Sequence, residues 1–140
     1  MTFKLLMKEL VSTYQAFEHY SNTHIKEKGL TMTQFDILVT LGNQPPMTCK
    51  ELGEKTLVSK GTLTGVLERL QGKGLIEKFT NEEDGRSYQI GLSEAGNVLF
   101  QTIFPEHMLY LERAFGKLSQ KDINQTVSAF SPVGSLVYAP

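Results

Sequence analysis

Apolar positions recur along this chain at two distinct periods. Phe3, Leu6, Leu10, Tyr14 and Phe17 stand three or four residues apart, the repeat of an amphipathic helix, and Gly29 is a natural stop for it. Thr31 or Thr33 can cap a second helix with Phe35, Ile37, Leu38 and Leu41 on its apolar face, ending at Gly42-Asn43. Gln44-Pro45-Pro46 is extended, because proline disfavours helical geometry in the residue before it. Thr48-Cys49-Lys50-Glu51 has the form of a capping box, hydroxyl and carboxylate each meeting an orphan backbone N–H. It opens a short helix through Leu52 that ends near Thr56. After Leu57-Val58, Ser59 offers a second N-cap. Leu63, Val66, Leu67 and Leu70 then line one face of a helix closed by Gly72 and Gly74. Two short helices across a tight turn make a helix-turn-helix.

The period then switches to two. Leu75 to Phe79 and Tyr88 to Leu92 alternate around the polar tip Asn81-Glu82-Glu83-Asp84-Gly85-Arg86-Ser87, which predicts a β-hairpin. Ser93 caps a helix carrying Val98, Leu99, Ile103 and Phe104, which Pro105 is expected to kink or break. Met108, Leu109, Leu111 and Phe115 continue the apolar pattern to Leu118. Ser119 to Asp122 cap a last helix with Ile123, Val127 and Phe130, which Pro132 and Gly134 are expected to end, leaving an apolar tail from Leu136 to Tyr138. The fold class is mainly α with a small hairpin wing: a winged helix-turn-helix domain with further helices at both ends.

Composition narrows the function. The 140 residues suit one domain, and 40% hydrophobic with 21% charged residues is ordinary for a folded chain. No apolar run approaches the ~18–20 residues that span a bilayer, and Lys4, Lys8 and Glu9 interrupt any signal-peptide core. A single cysteine, Cys49, can form neither an internal disulfide nor a zinc site and fits a reducing cytoplasm. Net charge is −1, but its distribution is uneven: Lys50, Lys55, Lys60, Arg69, Lys73 and Lys78 give residues 48–78 the chain's basic surplus, while residues 79–96 are acidic.

The helix after Ser59 has a second face of Ser59, Lys60, Gly61, Thr62, Thr64, Gly65, Glu68 and Arg69. Small hydroxyl residues and glycine let a helix enter a major groove ~12 Å wide. Hydroxyls bond base edges or phosphates, and Lys60 can neutralise a phosphate near the positive helix end. A simple cap at Ser59 and surface threonines would explain the same residues. At the hairpin tip Arg86 stands among acids. Asp84, two residues away on the same strand face, can orient it toward a narrow minor groove or merely form an exposed salt bridge.

These motifs taken in order resemble the MarR family of bacterial transcription regulators. The resemblance is carried by Leu30 to Leu38 (LTMTQFDIL), Glu51-Leu52-Gly53-Glu54, Val58 to Thr64 (VSKGTLT) and Leu67-Glu68-Arg69-Leu70. It continues through Gly72-Lys73-Gly74-Leu75-Ile76, Asp84-Gly85-Arg86-Ser87, Leu92 to Gly96 (LSEAG) and Ile103 to His107 (IFPEH). It implies that residues 30–96 form a DNA-binding lobe within a single 1–140 subunit, and that residues 1–29 and 97–140 are dimerisation helices. It further implies a major-groove role for the helix from Ser59, a minor-groove role for Arg86 held by Asp84, and release from DNA by a small aromatic ligand or by cysteine oxidation. Three departures stand out: Gly65 replaces a larger, often basic residue, Gly85 replaces a second wing arginine, and Ser131-Pro132-Val133-Gly134 shortens the last helix.

A homodimer also follows from the apolar stripe of the first helix, which lacks partners in so small a domain. Two reading helices about a two-fold axis meet a palindromic operator with half-sites ~34 Å apart. Tyr14, Phe17 and His24 are candidate ligand-pocket residues, with dimer core as the competing role. Cys49, in the first turn of a short helix, is a candidate redox residue against an ordinary core thiol. His19, His24 and His107 are too widely spaced to form a metal motif by sequence, although folding can gather some of them; ordinary surface or pocket-lining histidines are the favoured reading, and no metal and no cofactor is expected. No nucleophile elbow, phosphate-cradling loop or paired-acid pocket points to an enzyme. The competing class is a winged helix that serves protein–protein interaction or dimerisation without DNA.

Overall fold

The computed structural model describes residues 2–56, 58–80 and 87–137. Among them are helices α1 (Phe3–Glu27), α2 (Met32–Leu41), α3 (Cys49–Lys55), α4 (Lys60–Gly72), α5 (Glu94–Phe115) and α6 (Gln120–Val137). The strands are β1 (Met47–Thr48), β2 (Ile76–Thr80) and β3 (Tyr88–Leu92). None of the described helices is long and apolar enough to cross a membrane. The chain divides into two compact units, Met1–His107 and Met108–Pro140.

In the first unit the winged-helix order is complete, and the hairpin is antiparallel with Ile76 opposite Leu92 and Thr80 opposite Tyr88. β1 adds a third strand on the other side of β3, Met47 opposite Ile90. Two residues give too short an alternation to be read as a strand, yet both Met47 and Ile90 are buried where they pair. The core gathers Ile37, Leu38 and Leu41 of α2, Leu52 of α3, Leu63, Val66, Leu67 and Leu70 of α4, and Ile103 of α5. Each such side chain removed from water contributes about 1.5–3 kcal/mol.

Thr31 caps α2 in a full capping box: its hydroxyl accepts from the Gln34 N–H and the Gln34 side chain accepts from its own N–H. The box expected at Thr48 is only half made. Its hydroxyl accepts from the Glu51 N–H at 3.1 Å, but the Glu51 carboxylate takes that same hydroxyl instead of the Thr48 N–H. Thr48 also ends β1, paired with Gln89, so its backbone belongs to the sheet.

Two proline expectations need correction. α5 runs unbroken through Pro105, because Phe100, Ile103 and His107 are buried on both sides of it and hold the helix by tertiary packing. The second unit contains α6, whose start is fastened by Ser119 and Asp122, each side chain accepting from the other's N–H. α6 does not stop at Pro132 or Gly134 but continues to Val137. Proline costs a helix about 3 kcal/mol locally, and the apolar repeat Ile123, Val127, Phe130, Val137 keeps its period beyond it. The last helix is therefore not shortened at Ser131, and of the supposed tail Leu136 is helical while Tyr138 lies outside the described residues.

The joint between α4 and α5 is made by close backbone approach. The Ser93 hydroxyl accepts from the Gly96 N–H at 3.0 Å and donates to the Gly74 carbonyl, and the Ser93 N–H bonds the Leu75 carbonyl at 3.0 Å. A Cβ on Gly96 would strike that Leu75 carbonyl. Gly96→Ala is expected to cost about 1–3 kcal/mol, measured by chemical denaturation.

Folding also brings together histidines that are far apart in sequence. His107 of α5 is 1% exposed. Its Nε2 lies 2.9 Å from Ser21 Oγ and its Nδ1 2.9 Å from His24 Nδ1 on α1. The two rings stack at 5.1 Å, and the Phe35 ring of α2 meets His107 edge-on at 4.7 Å. Beside them Lys28 Nζ pairs with Glu106 Oε2 at 2.6 Å, which holds that carboxyl below its usual pKa. Burial, with a smaller contribution from His24, pushes the His107 pKa below the ordinary 6.5. The unfolded chain therefore binds more protons than the folded one as pH falls through about 6.5, and stability declines in that window. Melting temperature is expected to drop on acidification from about pH 7.5 to about pH 5.5, and to drop less in His107→Gln.

Candidate nucleic-acid interface

α4 is two-sided. Leu63, Val66, Leu67 and Leu70 are buried, which fixes the opposite side outward. On that side Ser59, Lys60, Gly61, Thr62, Thr64, Glu68 and Arg69 are exposed and Gly65 is half-buried. Thr62 and Arg69 are seven residues apart and share a face, as do Gly61, Thr64 and Glu68. Nothing lies within 4 Å of a Cβ built on Gly61 or Gly65, so the surface there is open. Ser59 is the N-cap residue by backbone, yet its hydroxyl makes no cap bond. It donates to Thr62 Oγ1 at 2.9 Å, so the expected hydroxyl cap at Ser59 is corrected to a bond along the outward face.

The basic surplus of residues 48–78 divides in two. Lys50, Lys55, Lys60 and Arg69 are exposed around α3 and α4. Lys73 instead points its ammonium at the Gly29 carbonyl and the Gln34 side chain, and Lys78 lies 4.6 Å from the Tyr88 ring across the hairpin. The hairpin stems are described; the tip residues Asp84 and Arg86 lie outside the described residues.

The pocket candidates Tyr14, Phe17 and His24 all lie on α1. Tyr14 and Phe17 belong to the stripe Phe3, Leu6, Leu10, Tyr14, Phe17, which is 36–53% exposed. His24, one heptad beyond Phe17, closes on His107. Cys49 is half-buried and lines a cavity of about 50 Å³ with Thr64, Leu67, Glu68, Gln71, Lys78 and Tyr88. His19 does not join the His24–His107 pair, and no group of three or more metal-ligating side chains occurs among the described residues. Sequence reasoning missed the inward turn of Lys73 and the Ser21–His107 bond. Both join residues more than forty positions apart, and no local pattern marks them.

Known proteins share this arrangement. Residues 30–88 match the profile of the MarR family. The chain is 26% identical to the HTH-type transcriptional regulator MhqR of Bacillus subtilis over 125 residues, covering 89% of this chain and 86% of that protein. The structure of AbsC, a MarR family transcriptional regulator from Streptomyces coelicolor, superposes with a TM-score of 0.87 at 22% identity, covering 97% of this chain and 94% of AbsC. BpsR of Bordetella bronchiseptica, whose DNA binding is regulated by 6-hydroxynicotinic acid, superposes with a TM-score of 0.84 at 22% identity, covering 96% of each chain. With its helix-turn-helix, hairpin wing and outward-facing α4, the chain is a DNA-binding transcriptional regulator similar to those of the MarR family.

Proposed function

We propose that the chain is a homodimeric repressor in the bacterial cytoplasm that reads a palindromic operator with α4 and is released by a small aromatic effector. The observation that carries this is the outward face of α4, small hydroxyl and basic side chains over a row of buried leucines and valine. Ser59, Gly61, Thr62 and Thr64 approach base edges and the phosphates beside them, Lys60 and Arg69 neutralise phosphates, and Arg86, oriented by Asp84, enters the minor groove. The α1 stripe supports the dimer: five large apolar side chains at helical spacing stay exposed on the single chain. In this reading residues 1–29 and 97–140 are the dimerisation segments, and the two lobes of residues 30–96 stand about one axis. Repression then needs no chemistry, because a bound dimer excludes polymerase from an overlapping promoter.

An effector acts only through a difference in affinity between the two forms, typically ~1–3 kcal/mol. In this reading Tyr14, Phe17 and His24 of α1 contact the effector, and the regulation of BpsR by 6-hydroxynicotinic acid supports an aromatic acid as the effector class. Control through oxidation of Cys49 is less favoured, since that thiol is half-buried against a cavity of about 50 Å³.

A gel-shift titration over a salt series tests the reading. Affinity is expected to fall steeply with salt, and a protein-binding winged helix shows no such slope. Lys60→Ala is expected to weaken binding uniformly across sequences and to reduce the slope by about 1. Arg86→Ala is expected to weaken operator binding modestly without unfolding; unchanged affinity removes Arg86 from the interface. Leu10→Glu is expected to shift the dimer toward monomer in sedimentation analysis and to weaken operator binding with it.

A further inference from the structure

We propose that Lys73 is a positioning residue for DNA recognition, tying the end of α4 to the corner between α1 and α2. Both helix ends at this place have the same form. α1 closes on Gly29 at φ +76°, with Gly29 N–H on Lys26 and Leu30 N–H on Ile25. α4 closes on Gly74 at φ +73°, with Gly74 N–H on Gln71 and Leu75 N–H on Leu70. Each is a glycine-terminated Schellman end, which fixes where the chain leaves the helix.

Lys73 bridges the two ends. Its Nζ donates to the Gly29 carbonyl at 3.0 Å and to Gln34 Oε1 at 3.3 Å. That oxygen already accepts from the Thr31 N–H at 3.1 Å, so one buried amide oxygen serves both the α2 cap and the α4 lysine. The ammonium also lies close to the C-terminal end of α1, where the helix dipole favours a cation. On the other side of the same turn, Gly74 and Leu75 bond Ser93 at the start of α5. The α4 terminus is thus held from two directions, by the α5 cap and by Lys73. Because α1 also carries the apolar stripe, the Lys73 link sets the angle of the reading helix against the dimer seam. This rests on the proposed reading of α4 and α1.

The test uses a duplex enriched by the wild-type full chain from a random-sequence DNA pool. Its affinity is measured over a salt series for wild type, Lys73→Met and Lys73→Arg, and again on the duplex with one base pair added between half-sites. Lys73 is exposed, so the core is untouched, and Lys73→Gln is a second truncation should the Met variant fold poorly. The expected result for Lys73→Met is a loss of about threefold to tenfold at every salt concentration. The slope stays unchanged and the penalty for the added base pair shrinks; Lys73→Arg, which can donate to both acceptors, restores both. A slope lowered by about 0.9 means that Lys73 neutralises a phosphate and overturns the proposal. Unchanged affinity, unchanged spacer discrimination, or a loss that arginine fails to restore also overturns it. If the wild type enriches no duplex, the DNA reading itself fails and this assignment falls with it.

Discussion

Burial of Leu63, Val66, Leu67 and Leu70 is the constraint on which the other features depend. A helix of thirteen residues has too little intrinsic stability to hold a direction in water. Packed on the α2, α3 and α5 side chains of the core, α4 cannot rotate without exposing its apolar row. Its hydroxyl and basic side therefore faces outward by default, and no device on that side has to hold it there. Truncating one of these leucines would typically cost about 2–5 kcal/mol, which makes the orientation of the reading face and the stability of the lobe one property.

Rotation about the helix axis is settled by the core, but tilt is settled at the ends. Ser59 leaves its cap bond unmade and shares its hydroxyl with Thr62, so the N-terminal end keeps open backbone donors. The C-terminal end is closed tightly, with Gly74, Leu75, Ser93 and Gly96 in backbone contact and Lys73 reaching the α1–α2 corner. This asymmetry suits a helix that meets a phosphate backbone with its open end while its closed end is anchored in the fold. Buried His107 and half-buried His24, with Ser21 and Phe35, fasten α1 to α5 and α2 close to the same corner. The basic surplus of the middle third is consequently not all directed at a partner, since Lys73 and Lys78 serve internal contacts.

Where structure follows from local pattern, the sequence is a sufficient guide. The 3.6-residue period delimits α1, α2 and α4 closely, and alternation delimits the hairpin stems. The motifs around Ser59 and Gly72 carry the resemblance to the MarR family before any coordinates. What escapes is whatever depends on long-range contact. β1 is two residues long and exists because β3 is beside it. α5 passes through Pro105, and buried side chains on both sides of that proline outweigh the lost backbone bond. α6 passes through Pro132 and Gly134, and its apolar period continues beyond both breaker residues. The capping box at Thr48 fails by half because a strand claims its backbone. Tyr14, Phe17 and His24 share one side of α1, as their spacing implies, whereas the contact of His24 with His107 joins distant parts of the chain that no local pattern marks.

Hydroxyl-radical footprinting of a selected duplex tests the central claim most directly, because it reports where the paired lobes lie along DNA. Two protected patches are expected, related by two-fold symmetry and centred about one helical turn apart, with cleavage between them. A single patch, patches without two-fold symmetry, or no protection at protein concentrations that saturate the duplex would contradict the account.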